Sequence, residues 1–420
     1  MNVSPCLWAC LVAGSLAAAP VHSQPAPPDP GPATAGLTLR AALDAAWQRA
    51  VAARQSEGLR RQADVERAAI NRFWAAPPAL ELSHRNDRLH RSSGQRETEI
   101  GVAVPLWLPG QRAARAGTAD AAAAQALAAE QRARWHLAGE LREAAGHVAA
   151  LQAEAQQAEA EAGAAEQLAS DVERRVRAGD LARADALAAQ AERLAASVQQ
   201  TDLQQRLQAA RARWTLLTGL SALPVDALAP VPFAVPSAAA EQGESAHPEM
   251  QLALRSTELA RQRVALLRHS RREAPELSIG VRQDVPGRAE AAQGSLGVSL
   301  RLPLGTADRN RPLEAAALAE LDGALSHEQA LHERLASERA TAGQALRSAE
   351  LQLGAESARA GLLRERARLI EQSFCAGETP LPDLLRARAA AAQVDSAVAR
   401  QTAALGLARA RLHQTLGLLP

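Results

Sequence analysis

The sequence predicts a mainly α-helical fold with a small β part, assembled from one unit used twice, and three observations predict it. A turn motif occurs twice: Ala178-Gly179-Asp180 leads to Asp185-Ala186-Leu187, and Ala376-Gly377-Glu378 leads to Asp383-Leu384-Leu385, 198 residues on from Gly179 to Gly377. The same offset relates Pro77 to Pro275, Pro105 to Pro303 and Gly219 to Gly417, and a constant offset without drift marks an internal repeat. Long stretches place apolar residues at steps of three and four, the spacing of one helix face. Two pairs of short segments instead alternate aliphatic with small or polar residues, the period of a strand.

Composition narrows the possibilities. Hydrophobic residues make up 47% of the 420, mostly alanine, while aromatics are 2% and tyrosine is absent. Small side chains suit close helix–helix approach in long bundles better than a globular core built on large ones. The formal net charge of +1 gives no bulk electrostatic attraction to nucleic acid. Neither copy signals an apolar core of its own, so two intertwined copies are expected.

Residues 1–23 read as a secretory signal, with an apolar run over 7–19 and small residues near Ala19 and Ser23, although no Lys or Arg precedes the run. Residues 24–36, with five prolines, read as a flexible leader. Removal of the signal takes away Cys6 and Cys10 and leaves Cys375, which excludes an intrachain disulfide. No later segment approaches the ~20 apolar residues of a membrane-spanning helix.

The first repeat is assigned to 37–219. It opens with a helix over 37–73, capped by Thr38 and ended by Pro77-Pro78. A strand over 79–85 and another over 99–108 flank a polar loop, and Ile100, Val102, Val104, Leu106 and Leu108 share one face of the second. Residues 113–177 then form a helix of roughly 95 Å, with Gly139, Gly146 and Gly163 as candidate kinks. After Gly179 the chain returns along a narrow seam of Leu187, Ala191, Leu194, Val198, Leu203, Leu207, Ala210, Trp214 and Leu217. Gly219 stops this helix, and 220–246, with four prolines, is a linker.

The second repeat, 247–420, follows the same plan. It runs through a helix over 248–272, strands around Leu277-Val281 and Leu296-Leu304, a helix over 312–376, the turn at Gly377 and a helix over 381–416. Each strand is aliphatic on one face. In a soluble hairpin a helix or sheet must cover that face; in an outer-membrane barrel it meets lipid while the Arg, Ser and Glu face lines water. Four strands cannot close a barrel alone, so closure needs several chains.

Sites are sparse. No nucleophile elbow or phosphate-binding loop occurs, and a non-enzyme without cofactor is expected. His84, His90 and Asp87 share a loop region that could suit a divalent ion; scattered loop polarity is the simpler reading. His327 and His332, five apart, fall off a common helix face. The strongest candidates are Asp185 and Asp383 after the two turns, either as functional acids or as ordinary caps of the helix starts.

These features resemble the TolC family of outer-membrane efflux proteins. The matching stretches are Leu37-Thr38-Leu39-Arg40-Ala41-Ala42-Leu43, the strand ends Pro105-Leu106-Trp107-Leu108-Pro109-Gly110 and Pro303-Leu304-Gly305, the two Gly-acidic turns and the terminal Leu-x-Gly-Leu motifs. Glu97-Thr98-Glu99 and Gly110-Gln111-Arg112-Ala113-Ala114-Arg115 look like the CzcC-type branch that serves heavy-metal exporters. The resemblance implies a homotrimer whose twelve strands close a barrel in the outer membrane, with long helices forming a periplasmic tunnel docked on an adaptor protein and an inner-membrane pump. It implies that Asp185 and Asp383 line the periplasmic aperture, with hinges at Gly179 and Gly377; Arg386 stands where relatives carry a second acid. Ducts for drugs or secreted polypeptides, and a periplasmic coiled-coil adaptor or scaffold, remain as alternatives.

Overall fold

The structure, a computed structural model, describes residues 37–89, 93–224, 244–288 and 290–420. The expected signal and leader, most of the linker, and His90 lie outside the described residues. Thr38 accepts the Ala41 N–H at 3.2 Å and starts α1 (Leu39–Arg49). The chain leaves helical geometry at Ala50 (φ −68°, ψ 136°) before α2 (Val51–Ile70), so the single helix expected over 37–73 is two. Alanine gives no local warning of that break. Packing accounts for it: α1 buries Ala42, Leu43 and Ala46 among residues of α3 (Gln111–Ala178) and α4 (Arg183–Thr218), whereas α2 lies along α3.

The second half runs through a short turn at Glu244–Ala246, α5 (Pro248–His269), α6 (Ala307–Cys375) and α7 (Leu381–Thr415). The helices α3 and α6 have 68 and 69 residues, or about 100 Å each. Gly139, Gly146 and Gly163 sit inside an unbroken α3, and α6 starts before Pro312 rather than at it. Both long helices end alike. Gly179 at φ +89° lets Asp180 N–H reach the Arg175 carbonyl at 2.9 Å, and Gly377 at φ +83° lets Glu378 N–H reach that of Ser373 at 3.0 Å. A left-handed residue here is the common glycine stop of a helix.

Between the helices lie β1 (Ala79–Asn86), β2 (Arg96–Pro105), β3 (Glu276–Val285) and β4 (Gln293–Arg301). They form one antiparallel sheet in the order β1-β2-β3-β4, so β2 and β3 join the two hairpins side by side. β2 and β4 stop short of the expected Leu108 and Leu304. Beyond β2 the backbone follows another path, with Leu106 N–H bonding the Pro275 carbonyl at 2.7 Å, and Pro303 just past β4 has no N–H for a ladder.

The register aligns the aliphatic residues into rows. Leu80, Val102, Ile279 and Val298 form one, and Leu82, Ile100, Val281 and Leu296 the next. All eight are exposed, from 45% at Val102 to 74% at Leu80, which leaves this face without a partner among the described residues. On the opposite face Gly101 pairs with Gly280 and Gly280 with Gly297. A Cβ on Gly280 would stand 2.9 Å from the Ile100 carbonyl oxygen, so the centre of the sheet is closed to any side chain at that position.

The buried apolar clusters among the described residues lie in the helices. One draws only on the first half, around Leu141, Val148, Leu203 and Trp214, which corrects the expectation that neither half has a core of its own. Two smaller ones join α5 to α6 and α6 to α7.

Candidate functional site

The turns at Gly179 and Gly377 belong to one packed tip. Val172 of α3 and Ala189 of α4 are buried together with Phe374, Leu381 and Leu384 of the second half, so the two helical hairpins close on each other. The Arg175 guanidinium lies 5.0 Å over the Phe374 ring and bonds Asp171 at 3.1 Å. Arg388 of α7 pairs with Glu371 of α6 and donates at 3.5 Å to the Ala164 carbonyl of α3.

The two sequence-selected acids behave differently there. Asp185 accepts the backbone N–H of Ala182 at 3.1 Å and so caps the start of α4. At the matching place in α7 the residue before the helix is Pro380, which has no N–H, and Asp383 instead bonds Arg386 at 2.8 Å. Neither acid is paired with the other; what brings their turns together is the apolar packing beneath them.

Farther along the same bundle, Glu161 of α3 is half-buried. Burial first, then the nearby carboxylates of Asp395 and Glu192, raise its pKa above the usual carboxylate value. Asp395 is held by Arg364 at 2.6 Å. Sequence reading missed Glu161, Arg364, Arg388 and Asp395. They are ordinary members of an Arg/Glu-rich helix pattern, and only the tertiary pairing of α3, α6 and α7 singles them out.

In the sheet the polar face carries Glu97, bonded to Arg282 at 3.0 Å, and Glu276, bonded to Arg301 at 3.4 Å. His84 Nδ1 lies 2.9 Å from Thr98 Oγ1, and Asp87 accepts from Ser93 N–H at 2.6 Å and from its hydroxyl. The Ser93 hydroxyl is the main cause of a lowered Asp87 pKa. Of the residues considered for a metal, His84 and Asp87 are thus engaged with neighbouring hydroxyls and His90 lies outside the described residues; no group of three metal-ligating side chains occurs among the described residues.

The arrangement offers a one-sided apolar sheet, a bundle about 100 Å long and a tip closed by apolar packing with polar bonds around it. Solved outer-membrane channels have the same fold. The outer membrane protein VceC of Vibrio cholerae is 15% identical with a TM-score of 0.69, the match covering 90% of this chain and 96% of that one. The CmeC outer membrane channel of Campylobacter jejuni is 13% identical with a TM-score of 0.72, covering 90% and 85%. The MtrE outer membrane channel of Neisseria gonorrhoeae, solved in its open state, is 17% identical with a TM-score of 0.64, covering 91% and 89%. No protein-family model matches the sequence, and no curated protein matches it.

Proposed function

We propose that this chain, whose fold is that of the TolC-family outer-membrane efflux channels, is a passive export duct of the outer membrane. The observation that carries the reading is the sheet. Its aliphatic face is uncovered, its other face is polar, and no strand among the described residues pairs with the outer edges of β1 and β4. Unpaired backbone groups cost several kcal/mol each in hydrocarbon, so the edges close on further copies: three chains give a homotrimeric, twelve-stranded barrel. Leu187, Leu194 and Val198 on α4 and Leu351, Leu362 and Leu369 on α6 are exposed in the single chain and supply apolar helix faces for neighbouring subunits.

In this reading the two halves descend from one duplicated unit, and the long helices carry the duct across the periplasm to an adaptor protein and an inner-membrane pump. The tip with Gly179, Gly377, Asp185, Asp383 and Arg386 is the aperture. Divalent heavy-metal cations are the proposed cargo, on the likeness of Glu97-Thr98-Glu99 and Gly110–Arg115 to the metal branch.

The test is fractionation followed by planar-bilayer recording. The expected result is recovery with the outer membrane and a steady conductance from the purified protein. Recovery as a soluble periplasmic protein without conductance contradicts the proposal. Loss of the protein should raise sensitivity to divalent metal salts; raised drug sensitivity with unchanged metal tolerance contradicts the cargo assignment alone.

A further inference from the structure

We infer that the collar where the helices meet the sheet is a docking surface for anionic phospholipid headgroups, with the guanidiniums of Arg268, Arg271, Arg272 and Arg311 gripping their phosphates. The inference rests on the outer-membrane reading and adds to it a lipid class and the residues that select it.

The collar is a built feature. Four chain crossings meet there: the residues between α2 and β1, between β2 and α3, between α5 and β3, and between β4 and α6. Ala75 N–H bonds the Pro105 carbonyl at 3.0 Å, Leu106 N–H that of Pro275, Trp107 Nε1 that of Arg72 at 3.4 Å, and Gln111 the Ser270 hydroxyl at 3.2 Å. A Cβ on Gly305 would overlap the Arg271 carbonyl, so the fourth crossing is pressed against the third.

Charge at this level is lopsided. Residues 71–78, 106–115, 268–275 and 302–311 hold eight arginines against two acids, Glu273 and Asp308. The two hairpin loops at the other end of the sheet, 86–96 and 284–293, hold four arginines against three acids. A chain with a net charge of only +1 therefore concentrates its positive charge at one rim of the sheet. On the helices many arginines pair with an acid three or four residues away, as Arg174 does with Asp171 and Arg206 with Asp202. Arg268, Arg271, Arg272 and Arg311 are exposed and make no ion pair among the described residues.

A second observation points to a bilayer as the source of the counter-charge. Aromatic residues are scarce, yet Phe73, Trp74 and Trp107 gather at the collar, and Phe73 is 80% exposed. Leu302 and Leu304, also exposed, continue the aliphatic face of β4 down to them. Leu296, Val298 and Leu300 within β4, and Leu302 and Leu304 just beyond its end, form a run of exposed aliphatic positions of the kind that outer-membrane barrels present to lipid. Aliphatic face, aromatic girdle and arginine rim follow one another as hydrocarbon, interface and phosphate do in a leaflet. Every one of the 47 basic residues is arginine, whose planar fork matches phosphate oxygens in pairs.

The test uses the full-length protein reconstituted in vesicles of phosphatidylethanolamine and phosphatidylglycerol, extracted in mild detergent, with the retained phospholipids weighed by headgroup. One arginine near an anionic surface biases partitioning roughly fivefold, so the wild type should retain phosphatidylglycerol at least about fivefold above its share of the vesicle. The quadruple variant Arg268→Gln, Arg271→Gln, Arg272→Gln, Arg311→Gln should retain it at the vesicle ratio. A control quadruple at paired helix positions, Arg174→Gln, Arg206→Gln, Arg359→Gln, Arg368→Gln, should match the wild type. If the collar quadruple does not assemble, Arg272→Gln and Arg311→Gln are read singly, each with a partial loss expected. Undiminished enrichment in the collar variants, or no enrichment in membrane-inserted wild type, overturns this inference alone. Wild type that never enters the membrane overturns both it and the duct.

Discussion

Asp383 holds the guanidinium of Arg386 at 2.8 Å along α7, because the start of its own helix gives it no N–H to cap. Its counterpart Asp185 has that N–H, from Ala182, and takes it at 3.1 Å. One difference, alanine against Pro380, separates a structural acid from one whose charge is balanced only by an exposed arginine.

The exposed pair itself is worth little stability, within about 1 kcal/mol, so Arg386→Ala should fold normally. In an oligomer that brings the tips to one axis, the uncovered Asp383 carboxylates attract cations and repel one another. Bilayer recordings should then show a leakier, more cation-selective pore. If Arg386→Ala and Asp383→Ala both leave conductance and selectivity unchanged, the aperture lies elsewhere.

Asp185→Ala should behave as the loss of a helix cap, costing about 1 kcal/mol locally. Hydrogen exchange at the amides of 182–187 should speed up, with no change at the matching amides in Asp383→Ala. Equal protection changes in the two variants would remove the distinction.

The aliphatic rows predict an asymmetry between adjacent positions in β4. Val298 is on the exposed aliphatic face and Ser299 on the polar one. An arginine on the lipid side near mid-membrane costs roughly 2–4 kcal/mol. Val298→Arg should therefore cut the yield of assembled oligomer far more than Ser299→Arg. Equal yields would refute the lipid-facing assignment.

A similar contrast applies to the glycine row. A Cβ at Gly280 stands 2.9 Å from a backbone oxygen that cannot move aside cheaply, while at Gly297 its nearest neighbour is at 3.9 Å. Gly280→Ala should lower the melting temperature of the assembled protein and Gly297→Ala should not. Indifference at both positions would mean the sheet is less tightly wound than described.

Glu161 gives the pH dependence. Its raised pKa means that the folded bundle takes up the proton more readily than the unfolded chain, so this site favours the fold at low pH. That contribution fades as pH rises from the ordinary carboxylate value of 4.5 through the raised one. Glu161→Gln should raise the melting temperature at neutral pH and flatten its change across that window. A variant as pH-sensitive as the wild type would assign the effect to other carboxylates.

The parts of the fold that were legible in the sequence are those with a local cause. Strands showed because Ile279, Val281, Leu296 and Val298 keep strict alternation, and the tip turns because glycine marks the left-handed stops at 179 and 377. The break at Ala50 did not show, since alanine carries no signal and the cause is burial of α1 against distant helices. The pairing of β2 with β3 was equally hidden, because either hairpin reads as self-sufficient. At the tip, Arg388 reaches a carbonyl 224 residues away, and nothing in its neighbourhood distinguishes it from the other arginines. Asp383 and Asp185 looked alike until the helix starts were resolved, although Pro380 already held the reason for their difference.

The claim on which the rest depends is that β1 of one chain closes on β4 of another. The most direct measurement is light scattering of the detergent-extracted protein with the bound detergent subtracted. The account predicts one species of three copies of the chain, unchanged on dilution. A stable monomer that keeps its sheet and helices would contradict it, because an open four-stranded sheet has no place in a membrane.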